Sequence, residues 1–156
     1  MMSVNQQKRD EEYMAQALEL AHQAASLGEV PVGALVVKDD QILGRGFNRC
    51  ESDHDPAGHA EVLALREAAS QLRQSRLHGA SLYVTIEPCL MCCGALLQAR
   101  IARLVFGARE PRTGGVVSIH EALRLPGVDH HVAVSEGICA QEAAAMMRDF
   151  FKGLRG

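Results

Sequence analysis

A stretch of nineteen residues, SLYVTIEPCLMCCGALLQA (81–99), joins a strand pattern directly to a helix pattern. Leu82, Val84 and Ile86 place apolar side chains at every second position, which is typical of a strand. Pro88 suits the first turn of a helix, and the residues that follow continue one. A strand that leads straight into a helix is a building unit of α/β sheets.

The same alternation runs along the rest of the chain. Apolar residues at spacings of three and four predict helices at about 10–27, 59–72, 118–124 and from 140 onward. Alternating runs predict further strands in a hairpin that turns at residues 39 and 40, and at 103–108 and 130–135. We therefore expect an α/β fold whose partly parallel sheet begins with an antiparallel hairpin and carries helices on both faces.

Length and composition favour one cytoplasmic domain. A chain of 156 residues, 47% of them hydrophobic, can bury a continuous core without disulfides. We expect a single domain over 1–156, with 1–9 as a flexible segment. No apolar stretch approaches the roughly 18 residues of a membrane span, so no membrane partner is expected. Three of the five cysteines fall within five positions, which suits a reducing compartment.

The charge argues against general binding to polyanions. The formal net charge is -3, so no global positive field would attract nucleic acid. A local basic group nevertheless falls within thirteen positions: Arg100, Arg103, Arg109 and Arg112. Such a group is most often solvated surface, although it can also hold phosphates locally.

The cysteine pair predicts an open metal site. Cys89 and Cys92 form a C-x-x-C, and the chain holds no second such pair to complete a four-cysteine site. His59, at the predicted start of its own helix, can supply a third ligand, because side chains lean toward a helix N-terminus. Cys92 shares a helix face with Cys89. One imidazole and two thiolates leave the fourth tetrahedral position for water, as in a catalytic zinc site. We interpret the other cysteines as small buried hydrophobic residues: Cys50, Cys93 and Cys139.

Glu61 follows His59 by two residues and can reach the same cavity from the first turn of the helix. An acid at that position taken alone indicates only a favourable interaction with the helix dipole. A hydrolytic zinc site, however, needs a group that takes a proton and returns it to the leaving group. Together with His59 and the C-x-x-C, Glu61 is the candidate for that role.

The combination of H-A-E with P-C-x-x-C is similar to the signature of the zinc nucleobase deaminases. Five segments, in order and over most of residues 10–155, also resemble the bacterial tRNA-specific adenosine deaminases: EVPVGALVV, GFNR, HDPAGHAEVLALR, LYVTIEPCLMCCGALLQARI and RLVFGAREPRTGG. The resemblance implies a cytidine-deaminase-like three-layer α/β/α sandwich with a five-stranded mixed sheet. It also implies one zinc ion per subunit, a homodimer, and conversion of adenosine to inosine at the wobble position of a tRNA anticodon loop, in an arginine tRNA.

The resemblance further implies roles for individual residues. The zinc ligands of those enzymes match His59, Cys89 and Cys92, and their proton shuttle matches Glu61. Asn48 matches an asparagine that hydrogen-bonds the target base, Val30 an apolar wall of the base pocket, and the Ala60 backbone a base contact. The residues expected near RNA are Arg109, Glu110, Arg112, Phe150 and Phe151. Glu110 stands where those enzymes carry Asp, and Phe47 replaces a Trp.

Other functions remain open on the sequence. The same metal ligands serve deaminases of free bases or nucleosides, such as cytosine, cytidine or guanine, and the net charge of -3 favours such a substrate. A second alternative is a zinc-stabilised binding module without catalysis, in which Glu61 is a surface acid. A thioredoxin-like dithiol is a third, but it leaves His59 and Glu61 without a role.

Overall fold

Five strands and four α-helices alternate along residues 3–155, the part of the chain that this computed structural model describes. The helices are α1 (Val4–Ser26), α2 (Ala60–Leu72), α3 (Leu90–Gln98) and α4 (Ala140–Arg155). The strands are β1 (Gly33–Lys38), β2 (Gln41–Phe47), β3 (Ser81–Ile86), β4 (Arg103–Ala108) and β5 (Ala133–Glu136).

The strands form one mixed sheet in the order β2-β1-β3-β4-β5. β1 is antiparallel to β2 and β3, whereas β3, β4 and β5 run parallel to one another. Asp39 and Asp40 make the predicted hairpin turn, both with positive φ, which matches the twist of the two flanking strands. The predicted α/β fold with a five-stranded mixed sheet is confirmed.

Helices cover both faces of the sheet and make it a three-layer α/β/α sandwich. On one face α1 packs against Leu35, Tyr83 and Val105. On the other face lies the larger core, to which α2 and α3 contribute and which includes Leu82 and Phe106. Alternate residues of β3 therefore point to different layers, and both sets are buried. The strand is thus buried on both faces, although its sequence alternates.

A buried ionic group ties α1 to the sheet. The Asp10 carboxylate is fully buried and accepts two hydrogen bonds from Arg103, at 2.8 Å and 2.6 Å. The hydroxyl of Tyr83 donates a third at 2.6 Å. Arg103, grouped by sequence with surface arginines, therefore serves the packing of α1 onto β3 and β4.

Element ends differ from the predictions in three places. α1 begins at Val4, because the Ser3 side chain accepts a hydrogen bond from the Gln6 N–H and the Gln6 side chain donates one to Asp10; residues 4–9 are therefore part of a helix. Residues 1 and 2 lie outside the described part. The predicted helix at 118–124 is only a 3₁₀ turn at Ala122–Arg124, since the N–H groups of 119 and 120 bond back to Gly114. The last strand begins at Ala133, three residues later than expected.

No helix in residues 3–155 combines the length and the apolar character that crossing a membrane requires.

Candidate active site

The three predicted metal ligands come together where α2 and α3 begin. His59 is the N-cap residue of α2 and Cys89 that of α3, and neither side chain caps its own helix. His59 Nδ1 lies 3.6 Å from Cys89 Sγ and 3.5 Å from Cys92 Sγ. A tetrahedral zinc with bonds of about 2.3 Å to sulfur and about 2.05 Å to nitrogen needs nitrogen–sulfur separations of about 3.5 Å. The three side chains therefore fit such an ion.

Close backbone contacts place both ligand segments. A Cβ atom on Gly46 would lie 2.3 Å from the Ala60 carbonyl oxygen, so only glycine in β2 lets the first turn of α2 approach this closely. The segment before α3 is held by Gly115, whose N–H donates to the Pro88 carbonyl at 2.8 Å, and by a bridge between Cys89 and Gly114. The ligand positions thus depend on backbone packing at both helix starts.

Hydrogen bonds within the cluster favour a thiolate at Cys89. The Cys92 thiol donates to Cys89, and this bond, together with one from His59, lowers the pKa of Cys89 to about 4 despite burial. The same bond and burial raise the pKa of Cys92. The pKa of His59 is raised, and the largest cause is its hydrogen bond with Cys89. The cluster therefore holds one thiolate, at Cys89, which is a ligand that suits a soft cation.

Glu61 lies beside the ligands with only 4% of its surface exposed. Burial raises the pKa of its carboxyl group to about 7. A carboxyl group that titrates near neutrality can both accept and donate a proton under ordinary conditions.

A cavity of about 190 Å³ opens over this cluster. Its lining comes from all three layers of the fold: Val30, Val32, Asn48, His59, Glu61, Ile86, Glu87, Cys89, Glu110, Thr113 and Met147. Asn48 Oδ1 accepts the backbone N–H of Ala60 at 2.8 Å, so the group that Asn48 offers to the cavity is its NH₂ donor. The cavity thus combines apolar walls with a few directed polar groups, as ligand sites do.

A wider groove of about 680 Å³ adjoins the cavity and shares four residues with it: Val30, Glu110, Thr113 and Met147. The rest of its lining is largely basic and aromatic, and comes from α4 and the loop after β4: Pro111, Arg112, Arg148, Phe151 and Lys152. A site for a small ring therefore continues into a basic surface, although the protein as a whole is acidic.

Comparison with known proteins agrees with this geometry. Residues 8–155 match the MafB19-like deaminase family. The chain is 44% identical over 147 residues to a tRNA-specific adenosine deaminase of Haemophilus influenzae, covering 94% of this chain and 85% of that protein. This chain belongs to the tRNA-specific adenosine deaminases. The family resemblance predicted from the sequence is confirmed.

Solved structures of deaminases support the same assignment. A tRNA:A34 deaminase, studied for A-to-I editing at the wobble position of transfer RNA, superposes with a TM-score of 0.85 at 40% identity, over 86% of this chain and 98% of that one. A guanine deaminase from Nitrosomonas europaea superposes with a TM-score of 0.74 at 28% identity, over 90% of this chain and 83% of that one. The cytidine-deaminase-like fold is thus shared by enzymes of this family and by a free-base deaminase.

Most of the residues predicted for the deaminase site lie at the cavity or the groove. Val30, Asn48 and Glu110 line the cavity with Glu61 and the ligands. Ala60 is fully buried and presents its backbone N–H to Asn48. In the groove lie Arg112 and Phe151.

Two predicted residues lie elsewhere. Arg109 forms an exposed ion pair with Glu136, with bonds of 2.7 Å and 3.1 Å, and lines neither the cavity nor the groove. Phe150 contacts Phe151 edge to face at 5.3 Å but lines a separate groove between α1 and α4. Neighbouring residues in one helix therefore face different surfaces.

Several residues of the deaminase site escaped the sequence analysis. Glu87 is 3% exposed, and Met147 reaches the cavity from α4, some sixty positions beyond Cys89. An acid directly before the P-C-x-x-C was a usable signal for Glu87. Met147 looked like an ordinary apolar position of an amphipathic helix and gave none.

Only one of the three remaining thiols is placed as predicted. Cys93 is fully buried, and burial raises its pKa to about 12. Cys50 and Cys139 are only partly buried, although Cys139 packs as a hydrophobic residue against the core under α1. Both lie in segments that border helix or strand ends, where less of the chain packs over them.

Proposed function

We propose that this chain acts as a single cytoplasmic domain that hydrolyses adenosine to inosine at the wobble position of a tRNA anticodon loop, in an arginine tRNA. One zinc ion per subunit is held by His59, Cys89 and Cys92. The observation that carries the proposal is the position of buried Glu61 beside those ligands, in a cavity that continues into a basic groove.

The bound zinc supplies Lewis-acid activation of a water molecule for attack on C6 of adenine. Glu61 takes one proton from the attacking water and delivers it to the ring nitrogen. It then takes the second proton from the hydroxyl group of the adduct and delivers it to the amino group, which leaves as ammonia. The NH₂ group of Asn48 donates a hydrogen bond to the base edge. The side-chain oxygen of Asn48 is held in place by the hydrogen bond that it accepts from the Ala60 N–H. Val30 and other apolar lining residues hold the faces of the ring and exclude bulk water.

The groove is suited to the nucleotides that flank the target base. Arg112 and Lys152 can meet phosphates, and Phe151, which is 38% exposed, offers a face on which a base can stack. An anticodon-loop base is already unpaired, so turning it into the cavity costs little. The charge of Arg109 is balanced by its ion pair with Glu136, so Arg109 attracts phosphate less strongly than Arg112.

We also propose a homodimer. Leu96 in the middle of α3 is fully buried in the core and is not available for an interface. Four of the large apolar residues that are exposed in the described part of the chain lie at the start of α3 and in the loop after β4: Leu90, Met91, Val117 and Ile119. Such a patch on a protein surface marks an interaction site. Because Leu90 follows Cys89 directly, a second subunit there would lie next to the active site.

A free-base deaminase is the second candidate. It is favoured by the similarity to a guanine deaminase and by the small volume of the cavity, about 190 Å³. A free base, however, leaves the basic groove without a ligand. The two remaining alternatives, a non-catalytic zinc module and a redox dithiol, leave buried Glu61 unexplained.

One assay separates these candidates. The purified, zinc-assayed protein is given transcribed arginine tRNA, free adenosine, cytidine and guanine in parallel. Inosine is detected by sequencing for the tRNA, because reverse transcriptase reads it as guanosine, and ammonia release is measured for the others. We expect conversion of the wobble adenosine alone. Turnover of a free base with an unchanged tRNA would reject the substrate, and no turnover with bound zinc would favour the binding module.

A further inference from the structure

Glu87 is a buried acid that joins β3 to the metal-ligand segment and accepts hydrogen bonds from one loop. Its Oε1 accepts the N–H of Glu110 at 3.0 Å. Its Oε2 accepts three consecutive N–H groups, from Val116 at 3.0 Å, Val117 at 2.8 Å and Ser118 at 3.0 Å. The Ser118 hydroxyl also donates to Oε1. All five donors belong to residues 110–118, here called the anchored loop.

The anchored loop forms part of the cavity wall. It contributes Glu110 and Thr113 to the lining of both the cavity and the groove. The loop has hydrogen bonds of its own, such as the one from the Gly114 N–H to the Glu110 carbonyl at 2.9 Å, but residues 111–119 contain no α-helix or named strand. Its five hydrogen bonds to the Glu87 carboxylate tie the loop, and with it these two side chains, to the end of β3.

The anchored loop also contacts the backbone of the segment that carries the metal ligand Cys89. Gly115 donates to the Pro88 carbonyl, and Gly114 bridges Cys89. A Cβ atom on Gly114 would lie 2.4 Å from the Glu87 carboxylate, so the loop backbone packs directly on the acid. Glu87 thus contacts the loop that in turn contacts the backbone of Cys89.

We infer that Glu87 is a positioning residue of the active site, which fixes the anchored loop against the substrate and against the ligand segment. It does not touch the reacting atoms, because both of its oxygens are used by the loop. The test of this inference by KM for tRNA rests on the proposed function. The test by amide exchange of the loop rests only on the hydrogen bonds.

Glu87→Gln is the decisive substitution. The side chain keeps its size, but one acceptor oxygen becomes an NH₂ group that faces the N–H donors of the loop. A buried donor left without an acceptor costs a factor of about 10, or about 1.4 kcal/mol. We expect amides 116–118 to exchange with solvent about 10-fold faster and KM for tRNA to rise about 10-fold, with a smaller change in kcat and stoichiometric zinc.

Asp10→Asn is the matched control. It makes the same carboxylate-to-amide change at an equally buried, multiply hydrogen-bonded acid, but at α1 on the opposite face of the sheet. We expect it to lower overall stability while exchange at 116–118 and KM stay at the wild-type values in the folded protein. Equal changes in both variants would overturn the inference, because the effect would then be general.

Ser118→Ala keeps the test decisive if Glu87→Gln does not fold. It removes only one of the five donors, and we expect a smaller shift in the same direction for both exchange and KM. Wild-type exchange and wild-type KM in the variant that folds would reject the positioning role. If wild-type protein deaminates no tRNA, the proposed function fails, and exchange at 116–118 still decides the role of Glu87.

Discussion

Two buried acids on opposite faces of the sheet differ in what surrounds them. Burial alone would raise the pKa of Asp10, but hydrogen bonds from Arg103, Tyr83 and Gln6 outweigh it and hold this pKa below its usual value. Glu61 is almost as buried, faces the imidazole and the thiols, and its pKa is raised by burial to about 7. Hydrogen-bond donors, and not the degree of burial, therefore account for the opposite pKa shifts of the two carboxyl groups.

The comparison predicts that substitutions on the cavity side change the rate of deamination, whereas substitutions on the α1 side change the free energy of unfolding.

The largest effect is expected for Cys92→Ala. Loss of a ligand should weaken zinc binding by more than about 100-fold, since partners outside the ligand set are themselves worth about 10- to 100-fold. Deamination should disappear with the metal. Zinc content after dialysis, measured by atomic absorption, checks this.

Cys93→Ala is the control for that prediction. Cys93 is the adjacent thiol and is equally buried, but its sulfur lies 3.9 Å from the Pro88 carbonyl and not in the ligand group. We expect stoichiometric zinc and a loss of about 1 kcal/mol in packing. Stoichiometric, tightly held zinc in Cys92→Ala would show that the ligand assignment is wrong.

Asp10→Asn tests the other side of the comparison. Removing one charge from a buried pair should lower the free energy of unfolding by about 2–4 kcal/mol at pH 7, because Arg103 keeps its charge. The folded pKa of Asp10 lies below the unfolded value of about 3.9. The carboxylate therefore stabilises the fold above about pH 4, and this contribution is lost as the pH falls through the folded pKa.

Denaturant unfolding of both proteins at pH 7 and near pH 3 measures this dependence. The difference between wild type and variant should shrink in acid. A difference that stays constant or grows would mean that Asp10 does not carry its charge into the folded state.

The groove provides a smaller effect. Phe151→Ala should raise KM for tRNA by about 5- to 150-fold, because stacking of a base on an aromatic side chain is worth about 1–3 kcal/mol. Phe150→Ala should leave KM nearly unchanged, since Phe150 lines the α1–α4 side. Equal effects of the two substitutions on KM, measured on folded protein, would place the RNA elsewhere.

The smallest effect is expected at the loop arginines. Arg112→Gln should reduce the slope of log affinity against log salt concentration by about 0.7–0.9, the contribution of one phosphate contact. Arg109→Gln should leave the slope unchanged, because the Arg109 guanidinium is paired with Glu136. Binding of tRNA measured at several salt concentrations compares the two. A slope that depends on Arg109 and not on Arg112 would reverse their assignment.

Local patterns were sufficient to predict the helix starts that carry the metal ligands and the hairpin, whereas the five-stranded sheet was implied by the family resemblance. His59 and Cys89 each start a helix, and helix starts can be recognised from neighbouring residues alone. The hairpin at Asp39 and Asp40 likewise depends only on adjacent positions. These features needed no knowledge of distant contacts.

Contacts between distant residues explain what the sequence did not show. Asp10 and Arg103 are 93 positions apart, so nothing near Arg103 distinguished it from a surface arginine. Glu87 meets donors 23 to 31 positions away, in a loop without regular structure. The different directions of Phe150 and Phe151 depend on how α4 docks beside α1 and the groove.

The central claim is that Glu61 is the reactive acid of the pair, and Glu61→Gln tests it most directly. Proton transfer by a positioned side chain accelerates a reaction by about 100- to 10,000-fold. The rate of tRNA deamination should therefore fall by about 100-fold or more. Zinc content and unfolding should remain close to wild type, because Glu61 is not a ligand. Asp10→Asn, measured in parallel, should show wild-type kcat in the folded protein. A zinc-loaded Glu61→Gln protein that deaminates at the wild-type rate would contradict the account.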